Sequence, residues 1–186
     1  ASVLIGLDRL NGLVDYVVTL GHRKLLFVRA SEFEKNETYA ERLSVVQRAA
    51  TNWSHEFPVE IVEFPVDISD SDCTRRFAEY VAEGFSCALG YNDGSALQMY
   101  SLVQRAGLSV GSDFSVCGFD DISASRLATP PLTTIRVDRS RMVREAFGLL
   151  DELTQTRKSL VLSRVLESEL IIRRSAMPPR RPASGC

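Results

Sequence analysis

The chain has 186 residues, of which 45% are hydrophobic and 25% charged, with a formal net charge of -2 and an isoelectric point near 5.8. That apolar content can fill one sizeable core, and the weak negative charge supplies no overall positive field for nucleic acid or an anionic membrane. With no run of about 18 apolar residues and no basic, apolar, small-residue leader at the start, no membrane partner is expected and the expected location is cytoplasmic.

Residues 1–22 supply one short apolar run, "SVLIGL", and one helix, "GLVDYVVTLGH". From Lys24 onward, nearly continuous apolar runs alternate with helical patterns. "KLLFV" (24–28), "VEIVEF" (59–64), "CALGY" (87–91) and "DFSVCGF" (113–119) read as strands covered on both faces, the last breaking at Gly118. Between them, Tyr39, Leu43, Val46 and Ala50, then Cys73, Phe77, Tyr80 and Val81, then Ala96, Met99, Tyr100 and Val103 form an apolar stripe on each of three helices. Asn92 or Asp93 caps the third of these helices and Gly107 closes it. A fourth helix follows "TTIRVD", capped by Asp138, with Met142, Ala146, Leu149 and Leu153 as its inner face. "LVLSRVL" and "SELIIRR" are expected as two late strands joined by a turn at Glu167 and Ser168, followed by a Pro- and Arg-containing tail that cannot pack a core. Strand and helix in alternation with short joins predict an α/β fold with a doubly wound parallel sheet.

The four cysteines lack any CxxC spacing and the two histidines are far apart in sequence, so no metal site is expected; Cys87 and Cys117 read as small buried hydrophobes. Open parallel sheets bind ligands beyond the carboxyl ends of their strands. Asp120 and Asp121 follow such an end, where an acid pair can hold a metal, do acid–base chemistry, grip a polar ligand or cap a turn. Asp120 is expected to face the crevice and accept hydrogen bonds from adjacent hydroxyls or the N–H edge of a base, and Asp121 to cap the turn or touch the other lobe at a crossover. Arg42, early in the helix after strand 24–28, points toward the same crevice with a guanidinium fork that can bridge two acceptor oxygens. Asn92 either enters the crevice or caps its helix.

Four ordered stretches, "LGHRKLLFV" (20–28), "ERLSVVQRA" (41–49), "GYNDGSALQMYSLVQRAGLSVGSDFSVCGFDD" (90–121) and "TPPLTTIRVDRSRMVREAFGLLDEL" (129–153), resemble the effector-binding core of the LacI/GalR family of bacterial transcription regulators. The resemblance runs from about residue 8 to residue 175. It implies a periplasmic-binding-protein-like fold of two doubly wound lobes joined by three crossovers around a ligand cleft, one lobe essentially complete here and the other partial. The implied organisation is a remnant of the N-terminal lobe (1–22), the C-terminal lobe (23–121), a return segment (122–158), closing strands of the C-terminal lobe (159–176) and a flexible tail (177–186). By the same resemblance, Asp120 and Arg42 match effector contacts, Asn36 and Thr38 match more variable ones, and Ile68 stands where many relatives place an aromatic ring against the ligand. His22 and Arg23 then flank the first crossover and support the hinge. The chain departs from the family in having no helix-turn-helix, most of the first lobe missing, and a segment from Asp8 to Gly21 about one helical turn short.

The expected function is sensing of a sugar-like effector or a nucleoside by a homodimeric regulator, with operator DNA bound only through a helix-turn-helix outside this sequence. No cofactor and no catalysis are expected. The helices at 38–50, 72–83 and 96–106 are the candidates for presenting apolar surface to a second subunit. A solute-binding protein of a sugar transporter, which shares the fold, is the alternative. An Mg²⁺ site on Asp120 and Asp121 is a third reading, weakened because no GxxxxGK[ST] or GxGxxG loop follows any strand.

Overall fold

The computed structural model describes residues 2–32, 36–155 and 162–180. Its strands are β1 (Ser2–Ile5), β2 (Lys24–Ala30), β3 (Glu60–Val66), β4 (Cys87–Gly90), β5 (Ser115–Asp120), β6 (Thr133–Arg136), β7 (Ser163–Leu166) and β8 (Glu169–Ile171). Its helices are α1 (Asp8–Thr19), α2 (Glu37–Asn52), α3 (Ser71–Ala82), α4 (Asp93–Arg105), α5 (Ser123–Leu127) and α6 (Arg139–Gln155). Six strands form one sheet in the order β3-β2-β4-β5-β6-β8, parallel except for β8, while β1 and β7 pair in parallel as a separate ribbon.

The unbroken apolarity of the central strands follows from their double cover. Along β2, Leu25 and Phe27 join the core beneath α1 and α2, and Leu26 and Val28 join the core beneath α3 and α4. Cys87, Leu89, Cys117 and Phe119 repeat the first set on β4 and β5, and Ala88 and Val116 the second. The stripes on α2, α3 and α4 are consumed by these cores, so those faces are not available to a second subunit. Large exposed apolar side chains lie elsewhere, including Val143, Phe147 and Leu150 on α6, and Leu127. On the expected inner face of α6 only Leu149 is fully buried.

Asn36, Asp70, Asn92 and Asp138 each accept a backbone N–H in the first turn of α2, α3, α4 and α6 respectively. Gly118 does not break its strand. β5 runs through it to Asp120, and glycine is required there because α4 crosses so closely that a Cβ would collide with the Asp93 carboxylate.

Several expected boundaries shift. The two late strands do not pair with each other; Glu167 and Ser168 carry the chain from the ribbon to the large sheet, so segment 159–176 divides between them. Segment 122–158 divides likewise, with β6 in the large sheet and α6 packed on β1 and β7. Helix α1 opens at Asp8, four residues before the expected start, and packs in the main core rather than with the ribbon. Ser175 and Ala176, at the end of the closing segment, are buried, and the expected tail 177–186 is tied down at its first residue, where Met177 O accepts from Ser115 Oγ at 3.0 Å; residues 181–186 lie outside the described residues.

His22 and Arg23 do not sit at a crossover. A 12-residue helix is about 18 Å long. Because α1 starts at the crossover, it delivers both residues to the opposite, amino end of the sheet. There His22 Nδ1 lies 2.7 Å from Ser86 Oγ and Nε2 2.9 Å from Met177 O, while the Arg23 guanidinium covers the Phe57 ring at 3.6 Å. Their role in the structure is to close the bottom of the core.

Burial lowers the His22 pKa from 6.5 to about 4, against the opposing effect of the hydrogen bond that the ring donates to the Met177 carbonyl. A base with a depressed folded pKa contributes stability above its unfolded pKa and loses it as pH falls toward the folded one. Denaturant titrations should therefore lose about 3 kcal/mol through this group between pH 6.5 and 4. His22→Gln should be flatter than the parent over that window; parallel curves would refute the assignment. Gly118→Ala should cost about 3 kcal/mol through its clash with the Asp93 carboxylate, and a change within 0.5 kcal/mol of zero in the same titration would show that α4 can move aside.

Candidate functional site

The carboxyl ends of β2, β4, β5 and β6 open toward one side, where α2 and α6 begin and the ribbon approaches. The chain passes between ribbon and sheet at Gly6–Leu7, Val137–Asp138 and Glu167–Ser168. Gly6 N donates to Leu166 O at 2.8 Å and Ser168 Oγ to Gly6 O at 3.0 Å, which ties two of the crossovers together.

Arg42 projects from the second turn of α2 and is 7% exposed. Its Nη1 donates to Tyr91 O at 2.5 Å, and its guanidinium lies 3.7 Å over the Phe119 ring and 5.0 Å from that of Tyr91. Such stacking on aromatic faces contributes about 0.5–2 kcal/mol when desolvated. Nε is enclosed without a hydrogen-bond partner among the described residues. Burial pushes the guanidinium pKa down, and Asp120 is the largest opposing influence.

Asp120 ends β5 with φ of 123°, and Asp121 follows at 52°, both in the region that L residues rarely adopt. The two carboxylates have separate fates. Asp121 is fully enclosed, with Oδ2 2.7 Å from Arg136 Nε, Oδ1 2.6 Å from Arg173 Nη2 and Arg126 Nη2 at 3.7 Å. The Asp120 side chain keeps 23% exposure, and its one ion pair among the described residues is with Arg139 Nη2 at 3.7 Å. Burial raises its pKa, while Arg42 and then Arg139 lower it and Asp93 raises it. Because Asp121 turns into its arginines, the pair does not present two carboxylates to one point, which removes the geometric basis of the Mg²⁺ reading.

Arg42 and Asp120 feel each other's charge but form no direct ion pair among the described residues, and they line neighbouring cavities rather than one groove. A cavity of about 520 Å³ lies between β1 and α2, bounded by Leu4, Thr38, Glu41, Arg42, Arg48 and Met142. A second, of about 850 Å³, lies between the end of β5 and the start of α6, bounded by Asp120, Ser123, Arg126, Asp138, Arg139 and Arg141.

The remaining candidates separate. Thr38 is exposed at the first cavity. Asn36 Oδ1 caps α2 by accepting from Tyr39 N at 2.9 Å, and the Tyr91 hydroxyl stands 3.5 Å from it. Asn92 Oδ1 is committed to Ser95 N at 2.8 Å as the cap of α4. Ile68 joins neither cavity: its loop follows the edge strand β3, and its carbonyl accepts from Arg105 Nη1 at 2.5 Å on the α4 side. Two residues with large roles were not singled out from the sequence, and a third, Asp93, was read there only as a candidate helix cap. Arg139 and Arg173 are indistinguishable there from solvated arginines, and Asp93 reads as an ordinary first-turn acid beside Asn92.

The sequence model of the periplasmic binding protein-like domain family matches residues 14–176. Among curated proteins, the chain is 39% identical over 87 residues to the HTH-type transcriptional repressor PurR of Actinobacillus pleuropneumoniae, covering 46% of this chain and 26% of that protein. It is 41% identical over 85 residues to the HTH-type transcriptional repressor CytR of Escherichia coli, covering 46% and 25%. The matched stretch thus spans about a quarter of these relatives' length. The fold is similar to that of a dimeric Lac repressor with a C-terminal deletion, with a TM-score of 0.77, 24% identity and coverage of 96% of this chain and 64% of that one. It is likewise similar to a LacI family transcriptional regulator from Enterococcus faecium with bound ribose, with a TM-score of 0.74, 20% identity and coverage of 92% and 63%. The chain belongs to the periplasmic binding protein-like domain family.

Proposed function

We propose that this domain senses a small polar effector, a sugar or sugar derivative including nucleosides, in the cleft between ribbon and sheet, and performs no catalysis. The observation that carries the reading is Arg42. A guanidinium 7% exposed, fixed on Phe119 and by Tyr91 O, still keeps an enclosed Nε without a partner among the described residues. An enclosed donor left unpaired costs about 1–3 kcal/mol, a cost borne while the guanidinium is held in the wall of the first cavity beside Thr38, where a ligand oxygen can meet it. Asp120, partly exposed and near Arg42, offers the complementary acceptor for ligand hydroxyls. The solved Enterococcus faecium regulator, which holds ribose, supports the ligand class, and a Lac repressor structure, a dimer with operator and an anti-inducer, supports the setting.

In the whole regulator, operator DNA would be read by a helix-turn-helix, with two copies of the protein matching the two-fold symmetry of an operator. The repressor names of the curated relatives favour this over a transporter's solute-binding protein. Among the described residues, no helix is long and apolar enough to cross a membrane, in keeping with the proposed cytoplasmic setting.

Calorimetry of the intact protein against ribose, other pentoses and hexoses, and nucleosides should give saturable binding to at least one of them. Arg42→Lys keeps the charge but loses the fork, and should weaken that binding about tenfold or more, as should Asp120→Asn. Ile68→Ala should leave it within about twofold, since Ile68 lines neither cavity. Absence of binding across the panel, or wild-type affinity in Arg42→Lys, would refute the proposal.

A further inference from the structure

Asp93 has no exposed surface, and among the described residues it has no ion pair. Its oxygens accept three hydrogen bonds, all from neutral donors: Ile122 N at 2.9 Å and Ser125 Oγ at 2.5 Å on Oδ2, and Thr134 Oγ1 at 2.5 Å on Oδ1. The donors come from the loop after β5, from α5 and from β6. The carboxylate also occupies the space that a Cβ on Gly118 would need, so it lies close against that residue. A buried carboxylate without a cation is costly to desolvate, and Asn92 already provides the cap of α4. Capping therefore does not account for Asp93.

What Asp93 touches brackets a strained segment. Gly118 and Ile122 lie on either side of Phe119, Asp120 and Asp121, and the last two have positive φ. Non-glycine residues in such conformations cost about 1–3 kcal/mol each and persist only where their surroundings over-determine them. Asp121 is over-determined by its arginines. Among the described residues, the Asp120 side chain has the exposed Arg139 as its one ion-pair partner, so its conformation is imposed through the backbone, by the β6 register and by the residues on either side.

We infer that Asp93 is a positioning residue for the effector site: by holding Gly118 and Ile122 together, it keeps the Asp120 carboxylate in the cleft beside Arg42 and Arg139. The inference rests on the effector-contact reading of Asp120, and its test has one arm that needs no effector.

In that arm, amide exchange followed by NMR should show the Ile122 N–H losing protection about tenfold or more in Asp93→Ala, while Leu89 and Val116 in the neighbouring strands keep theirs. Asp93→Asn, which retains one accepting oxygen, should restore most of it. In the second arm, ribose binding is followed calorimetrically in the intact protein. Asp93→Ala should weaken it about tenfold or more, and the penalty should vanish when Asp120→Asn is already present, because the two residues act through one contact. A merely structural Asp93 would give the same factor in both backgrounds. If Asp93→Ala does not fold, Thr134→Val, which removes one donor and leaves the carboxylate, should show the same pattern at about threefold. Unchanged Ile122 protection, or equal factors with and without Asp120, would overturn the inference. Failure of ribose to bind the wild type would count against the effector reading of this site, while the exchange arm would still decide whether Asp93 holds the segment.

Discussion

The contact on which the site's geometry depends is the one between the start of α4 and Gly118 on β5. With no side chain at 118, the Asp93 carboxylate and Cα rest against the strand, at a distance where any Cβ would collide. This close approach is coupled to the β4–β5 register, in which Leu89 faces Cys117. It leaves Tyr91, just before the cap of α4, and Phe119, just after Gly118, as neighbours. Those two residues supply the acceptor and the aromatic platform that fix the Arg42 guanidinium. The position of an arginine on α2 is therefore set by backbone packing two strands away.

The two consecutive acids show how one turn divides its charges. Asp121 ties the end of β5 to β6 and to the segment after β8, through Arg136 and Arg173, and Arg136 also reaches Glu169 at 3.1 Å. A buried carboxylate with this many cationic partners is costly to disrupt one partner at a time, because each loss leaves charge uncompensated. Its neighbour is spared such commitments. The adjacent positive-φ residues turn Asp120 out of the plane that Asp121 occupies, so the sequence pair becomes one structural carboxylate and one accessible one. The same logic separates Asn92, whose oxygen is taken by Ser95 N, from Thr38, which stays exposed at the first cavity.

Much of the fold is legible in the sequence because its signals are local. Double-sided burial writes itself as "LLFV" on β2 and "SVCGF" on β5, and the starts of α4 and α6 are marked by Asn92 and Asp138, whereas the caps Asn36 and Asp70 emerged only in the structure. Three things were not legible, for one reason: each depends on which segments meet in space. The short late strands carry the same composition, yet β7 joins the ribbon and β8 the large sheet, a choice made by the crossovers rather than by the strands. At the candidate site, Asp120 and Arg42 were expected at the carboxyl edge of the sheet, which is a predictable place, and both lie there, lining neighbouring cavities. Asp93 was not, since its three donors lie 29 to 41 residues downstream. His22 was misplaced because the family pattern gave its neighbours in sequence, whereas the length of α1 decides which end of the sheet it reaches.

Between its two arginines, Asp120 experiences unequal holds. Arg42 is immobilised by a carbonyl, an aromatic face and burial, and it lies beyond direct pairing distance. Arg139 is 61% exposed, begins a helix on the ribbon side, and approaches only to 3.7 Å. Exposed pairs of this kind contribute about 0–1 kcal/mol, since water competes and long side chains lose freedom. A hydroxyl arriving at Asp120 thus displaces a weak partner and meets a rigid one. The rigid arginine keeps its aromatic platform and its carbonyl throughout, and its enclosed Nε has no hydrogen-bond partner among the described residues. On the proposed reading, recognition divides accordingly: Arg42 sets where the guest's oxygens must lie, and Asp120 exchanges the loose Arg139 contact for the guest's own donors.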